Sequence, residues 1–337
     1  MAYTALPRRC ACIVLFHQKL KFVQLKSNIK PQQQTKANQI MSEAIRYNIE
    51  PRRIQFDGFP VARLLPRIGL NGFGPWLFFD HMGPHDFGAG QGLDVPPHPH
   101  INLATVTYLF EGEILHRDSI GNVQSIIPGA INLMVAGAGI AHSERGPDAL
   151  RQHIHSVHGL QLWHGLPEEH EETAASFHHY PVEDLPATTL NGVHIRLLIG
   201  EAFGLKSPVR TFTKTLYAEY HLCAGQSVAV PENVEELAFY AVDSKLKVDD
   251  DILAPRRLAL LTEGNHQIHA EDHTRAVFIG GQSLGKRYIW WNFVSSRKER
   301  IQKAMDDWKQ GHFGAVYDDN GTPAPLPESD SNSLMSD

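Results

Sequence analysis

The chain has 337 residues, of which 42% are hydrophobic, 20% charged and 9% aromatic, a globular composition with enough apolar content for one large core or two medium ones. Three cysteines (Cys10, Cys12 and Cys223) are too few for a disulfide framework or a cysteine-based zinc module, which fits a reducing, cytoplasmic setting. A net charge of −6 argues against wholesale binding to phosphate backbones, but histidine is in excess: there are 20, and 13 fall between His81 and His179.

In chain order, residues 1–42 form a basic leader with seven Lys or Arg and no acid. Its apolar run Ala11–Phe16 is too short for a membrane span of about 20 residues, and no small-residue cleavage pattern follows it. A disordered extension, a transit-like peptide and initiation at Met41 are the three readings. Met41 is favoured because MSEAIRYNIEPRRIQF opens a strand-like amphipathic pattern. Cys10 and Cys12 form a CxC without a partner pair and are given no role.

Short alternating or β-branched runs then recur about every ten residues, among them VARLLP, WLFFDHMGP, LATVTYLFEGEILHRD, INLMVAGAG, GLQLWHGLP, VHIRLLIG, TLYAEYHL and TRAVFIGG. Gly, Pro and Asn-Gly punctuate them, so antiparallel strands in a sandwich or barrel are expected, not βαβ units. The strand-rich region divides into two similar halves, about 55–180 and 190–285, which predicts an all-β fold of two tandem jelly-roll units. Helices are expected in PEEHEETAASF, opened by Pro167, and in SSRKERIQKAMDDWKQGHF. In the latter, Ser295 or Ser296 caps the start and Ile301, Met305 and Trp308 recur at helical spacing. The expected division is a first domain over 43–182, a second over 190–288, a C-terminal helix within 289–312 and a disordered acidic tail over 313–337.

Chemistry concentrates in the first half. His98 and His100 stand two apart in a strand, so their imidazoles share a face. About forty residues on, GAGIAHSERG supplies His142 and Glu144, again at period two. Three neutral imidazoles and one carboxylate suit Fe(II), Mn(II), Ni(II), Cu(II) or Zn(II) with open positions remaining, and the carboxylate favours iron over copper. In the second half, Pro231 and Asn233 follow Gly225 where His98 and His100 follow Gly92, so that half is expected to lack metal ligands.

The spacing from Gly92 through His98, His100, Thr105 and Gly112 resembles a first cupin motif without its usual glutamate, whose place Ala104 and Thr105 take; Gly139 and His142 resemble the core of the second. More closely, HPHINLATVTYLFEGEILHRDS, GAGIAHSE, GLQLWHGLP and EEHEETAASFHHYP resemble the pirin family over about residues 50–310. That resemblance implies a bicupin with one non-haem iron, Fe(II) or Fe(III), held by His98, His100, His142 and Glu144. It also implies dioxygenase activity on a flavonol such as quercetin, of the 2,3-dioxygenase type, with O2 as co-substrate. Glu144 would take the substrate hydroxyl proton as general base. Phe78, Phe79, Met134 and Trp163 are candidates for an apolar pocket wall, and Gln161 for a hydrogen-bond donor into the cavity.

The other histidines are read as structural: His116 in a polar hairpin, His153, His155 and His158 on strand faces or at polar interior positions, His178 and His179 in a loop, and His266, His269 and His273 in an exposed loop. The basic cluster Arg297, Lys298, Arg300 and Lys303 is broken by acids and reads as a solvated helix face, so no direct nucleic-acid binding is expected. Two tandem barrels are compatible with a monomer. The resemblance also implies an alternative without turnover, an iron-dependent redox-sensing regulator that binds a protein partner; a metal-dependent isomerase or sugar-binding cupin is the third reading.

Overall fold

The computed structural model describes residues 42–56 and 58–328. The leader with Cys10, Cys12 and Met41, and residues 329–337, lie outside the described residues. Chain order gives β1 (Ile45–Ile49), β2 (Arg52–Phe56), β3 (Phe59–Leu65), β4 (Trp76–Phe87), β5 (Asp94–His100), β6 (Leu103–Glu111), β7 (Ile114–Asp118), β8 (Val123–Ile126), β9 (Ile131–Val135), β10 (Ile140–Arg145), β11 (His155–Gly165) and β12 (Ser176–Tyr180). After Pro181 come β13 (Ala187–Leu190), β14 (Val193–Ile199) and the strands of a second barrel.

Each half pairs a seven-stranded sheet with a four-stranded one. The first half has the order β12-β9-β6-β11-β4-β3-β2 and, opposite it, β5-β10-β7-β8. The two seven-stranded sheets share a single core: Phe79, Val106 and Leu160 from the first pack in one cluster with Tyr217, Tyr240 and Ile279 from the second. This explains the strand sequences. A strand covered on both faces has no solvent side on which to place polar residues, and β6 is buried along Leu103–Leu109 while β9 is buried throughout. Along β6, Ala104, Val106 and Tyr108 belong to the inter-sheet core, and alternation turns Thr105 and Thr107 into the barrel.

Several features depart from the sequence expectations. The first strand, β1, lies within the expected first domain yet pairs antiparallel with Leu258–Leu261 of the second sheet. There it covers an apolar edge that would otherwise be open, placing Ile45 among Val193 and Leu216. The segment opened by Pro167 is only a one-turn 3-10 helix, Glu168–His170, and His178 and His179 lie in β12. The C-terminal helix runs Lys298–Lys309 and docks by Ile301, Ala304 and Met305, but its N-cap is Arg297 without a side-chain bond. Both serine hydroxyls donate instead to the buried carboxylate of Glu171 at 3.0 Å, which also accepts the Ser296 amide at 2.7 Å and faces Arg287 at 3.3 Å. In the second barrel, Gln267–Ala270 is a strand, not a loop, and His266 is buried against Asp249 at 2.7 Å.

Of the expected disordered tail, residues 313–328 are ordered. They cross behind β5, β7 and β10 as a strap: the Tyr317 amide donates to Asp118 O at 3.0 Å and the Ala324 amide to Pro97 O at 2.8 Å. Arg145 holds Asp319 through two bonds, 2.6 and 3.0 Å. Composition alone favoured disorder. These distant partners supply fixed contacts that offset the chain entropy.

Candidate metal centre

The four-stranded sheet of the first barrel aims three period-two pairs inward: His98 and His100 on β5, His142 and Glu144 on β10, and His116 and Asp118 on β7. In register, His142 stands opposite His98 on one side and Asp118 on the other, and Glu144 opposite His116. One nitrogen from each of His98, His100 and His142 lies within 4.8 Å of the others, and the three rings are 8%, 1% and 1% exposed.

Hydrogen bonds settle the tautomers. His98 Nδ1 donates to Pro96 O at 2.9 Å, and His100 Nδ1 to Asn292 O at 3.1 Å. Asp118 only accepts, so His116 Nε2 carries the proton between them at 3.1 Å. In the tautomer with its proton on Nε2, His116 accepts at Nδ1 from the Nδ1 proton of His142 3.3 Å away. In all three candidate ligands Nε2 is therefore the nitrogen with a free lone pair, and His142 Nε2 is buried with no hydrogen-bond partner. Burial, reinforced by neighbouring imidazoles, lowers His98 to about 4 and His100 and His142 well below the usual value, so they are neutral near pH 7, the form that binds metal. A buried orphan acceptor is costly, and a divalent cation satisfies it.

Glu144 is 9% exposed on the same face but outside the set of mutually close ligand atoms. β5 carries an extra residue between Val95 and His98 opposite His142–Glu144 of β10, so Glu144 stands opposite Val95. Burial raises its carboxyl to about 7 against a lowering bond with the Thr107 side chain. A neighbouring cation would return it to the ionised form.

An aromatic wall adjoins the cluster. Trp163 stands edge-on to His100 with centroids 5.0 Å apart and stacks on Phe78 at 4.0 Å, with Met134 in the same apolar cluster. Phe79 does not belong to this wall. Adjacent strand residues face opposite ways, and Phe79 turns into the inter-sheet core, 4.8 Å from Tyr240. Gln161, paired across the strands with Thr107, accepts from its Oγ1 at 2.7 Å.

His116 and Asp118 were missed as functional neighbours, although ILHRDS shows the same period-two signal as HPH and HSE. His116 is 2% exposed and stacks on Phe177 at 4.3 Å. His158 takes the polar interior position, 6% exposed. Its Nε2 lies 2.7 Å from His81 Nε2, whose ring reaches Tyr240 of the second sheet.

Two jelly-roll barrels in tandem, with a buried histidine cluster on the small sheet of the first, define a bicupin. Family models match the chain twice, Pirin over residues 58–164 and the Pirin C-terminal cupin domain over residues 217–314. The chain belongs to the pirin family. It is 42% identical over 283 residues to a pirin-like protein of Caulobacter vibrioides, covering 83% of this chain and 98% of that one. It is 31% identical to pirin of Homo sapiens, covering 76% and 89%. Among solved structures, a quercetin 2,3-dioxygenase from Acinetobacter baumannii superposes with a TM-score of 0.77 at 34% identity, covering 84% of this chain and 96% of that one. Among the described residues, no helix is long and apolar enough to cross a membrane.

Proposed function

We propose that the protein is a mononuclear non-haem iron dioxygenase acting on a flavonol such as quercetin, with His98, His100, His142 and Glu144 as the ligand set. The observation that carries this reading is the convergence of three buried imidazoles with their Nδ1 protons engaged and their Nε2 lone pairs free. Similarity to the Acinetobacter structure supports the choice of substrate.

Iron held there would supply redox chemistry toward O2 and lower the pKa of a substrate hydroxyl that meets it. Glu144 accepts that hydroxyl proton on a carboxylate held near Thr107. Trp163 and Phe78 offer a flat apolar surface to the rings of the substrate and keep water from one side of the site. Asp118 and His116 keep the proton of His142 on Nδ1.

The test is quercetin consumption coupled to oxygen uptake by the iron-loaded protein. His98→Ala is expected to abolish both. Glu144→Gln is expected to lower kcat about 10²-fold or more, in the range for loss of a general base. No consumption at saturating O2 by protein shown to contain iron would overturn the proposal and leave the regulatory reading.

A further inference from the structure

A cavity of about 380 Å³ lies beside the candidate metal centre, and none of His98, His100, His142 or Glu144 lines it. Phe78 and Trp163 form part of its wall, Trp291 another part, and Arg52, Arg63, Arg67 and Arg287 contribute cations, the last already paired with Glu171; among the described residues no carboxylate lines it. Arg63 is committed, gripping both oxygens of Asp80 at 2.8 and 2.7 Å with its guanidinium 4.5 Å from the Phe78 ring centroid.

Arg52 and Arg67 differ from it. Their side chains donate to backbone carbonyls, Arg52 to Pro66 at 3.1 Å and Arg67 to Glu50 at 2.8 Å, and among the described residues neither has an acidic side chain within ion-pair distance. A carbonyl orients a guanidinium without neutralising it, and each retains further N–H donors. Trp291 adds a second observation. It is held at φ 52°, a conformation that bulky residues rarely adopt, at a turn whose next residue, Asn292, supplies the carbonyl for His100. The same turn lines the cavity and fixes a candidate ligand.

We propose that this cavity binds a planar aromatic anion: one or two fused rings against the Trp and Phe side chains, with a carboxylate, sulfonate or phosphate held by Arg52 and Arg67. Aromatic walls with a few convergent polar groups are the usual make-up of a small-molecule site, and the volume lies within the usual range. Paired guanidinium forks suit planar or tetrahedral oxyanions. The site shares the Phe78 and Trp163 wall with the proposed reaction but none of the candidate ligands, and binding there needs no metal.

Calorimetric titration of metal-free protein with 2-naphthoate, its neutral isostere 2-naphthamide and inorganic phosphate tests it. Naphthoate is expected to bind at least about tenfold more tightly than either, a difference of about 1.4 kcal/mol. The double variant Arg52→Gln/Arg67→Gln is expected to lose that advantage while its affinity for the amide stays the same, which also reports an intact cavity. Equal affinity for acid and amide, undiminished naphthoate binding by the double variant, or no saturable binding would overturn the proposal. Phosphate binding as tightly as naphthoate would overturn its aromatic half.

Discussion

The Nδ1 atoms of His142 and His116 lie 3.3 Å apart, and the far nitrogen of His116 is held by Asp118 at 3.1 Å. The tautomer of a candidate ligand is thus set by a carboxylate two side chains away. Removing His116 leaves His142 free to carry its proton on the wrong nitrogen. His116→Ala is expected to weaken metal binding about 10–100-fold, the usual cost of losing such a supporting group, without the complete loss expected for His142→Ala. Competition with a chromophoric chelator measures this, and unchanged affinity would show that the contact does not orient His142.

Glu171 and Arg287 are 0% and 6% exposed and tie the turn after β11 to the hairpin formed by Tyr288–Trp290 and Phe293–Ser295. Glu171→Ala strips four contacts and strands a buried guanidinium, so a loss of about 3–5 kcal/mol is expected. Urea unfolding measures it. Replacing both residues by apolar side chains of similar size should recover most of that loss, and a single variant as stable as the parent would refute the assignment.

Acid should weaken the fold well before it titrates the carboxylates of ordinary range, because the buried histidines outnumber Glu144, whose raised carboxyl acts in the opposite sense. Burial is the main cause that lowers His158 and His164 to about 4, whereas an unfolded histidine titrates near 6.5. Between those values the unfolded chain binds protons that the folded chain refuses, so stability rises with pH across that window and levels off above it. The urea midpoint of metal-free protein is expected to fall steadily from about pH 6.5 to pH 4. A flat profile there would mean that these rings accept protons without loss of packing.

The C-terminal strap should matter to the metal as well as to the fold, because it bonds Pro97 beside His98, Asp118 itself, and Arg145 beside Glu144. Asp319→Asn is expected to cost about 2 kcal/mol, typical of hydrogen bonds to a charged partner. Deleting residues 313–337 should lower both the thermal midpoint and the metal affinity. Its bonds with Arg145 and neighbours hold Asp319 at about 2 despite some burial, so the ion pair is complete above about pH 4 and is lost as pH falls toward 2. A truncated protein with the parent's midpoint and metal content would show the strap to be passive.

The candidate ligands were legible because a strand converts spacing of two into a shared face, whatever the rest of the fold does. His116 has that spacing with Asp118, yet its importance depends on β7 lying beside β10, which no local pattern records. The misassignment of Phe79 has a related cause. In WLFFD both phenylalanines are buried, and with both faces of the sheet covered, composition does not say which face looks into the barrel. The strap was misread because its order rests on Arg145, Asp118 and Pro97, more than 150 residues earlier in the chain. Duplication, by contrast, was visible as repeated strand spacing, and it fixed the two-barrel architecture before any contact was known.

The strands near the start of the fold and the strap near its end are fastened crosswise. β1 precedes the first barrel and is paired into the sheet of the second, while the strap follows the second barrel and is bonded across the back of the first. A protease nick in the connector Pro181–Pro186 would therefore cut the backbone without parting the halves. Neither barrel is a portable module: each, expressed alone, would lack a piece carried by the other and expose half of a common core, so gain or loss of this fold by recombination has to take both barrels at once.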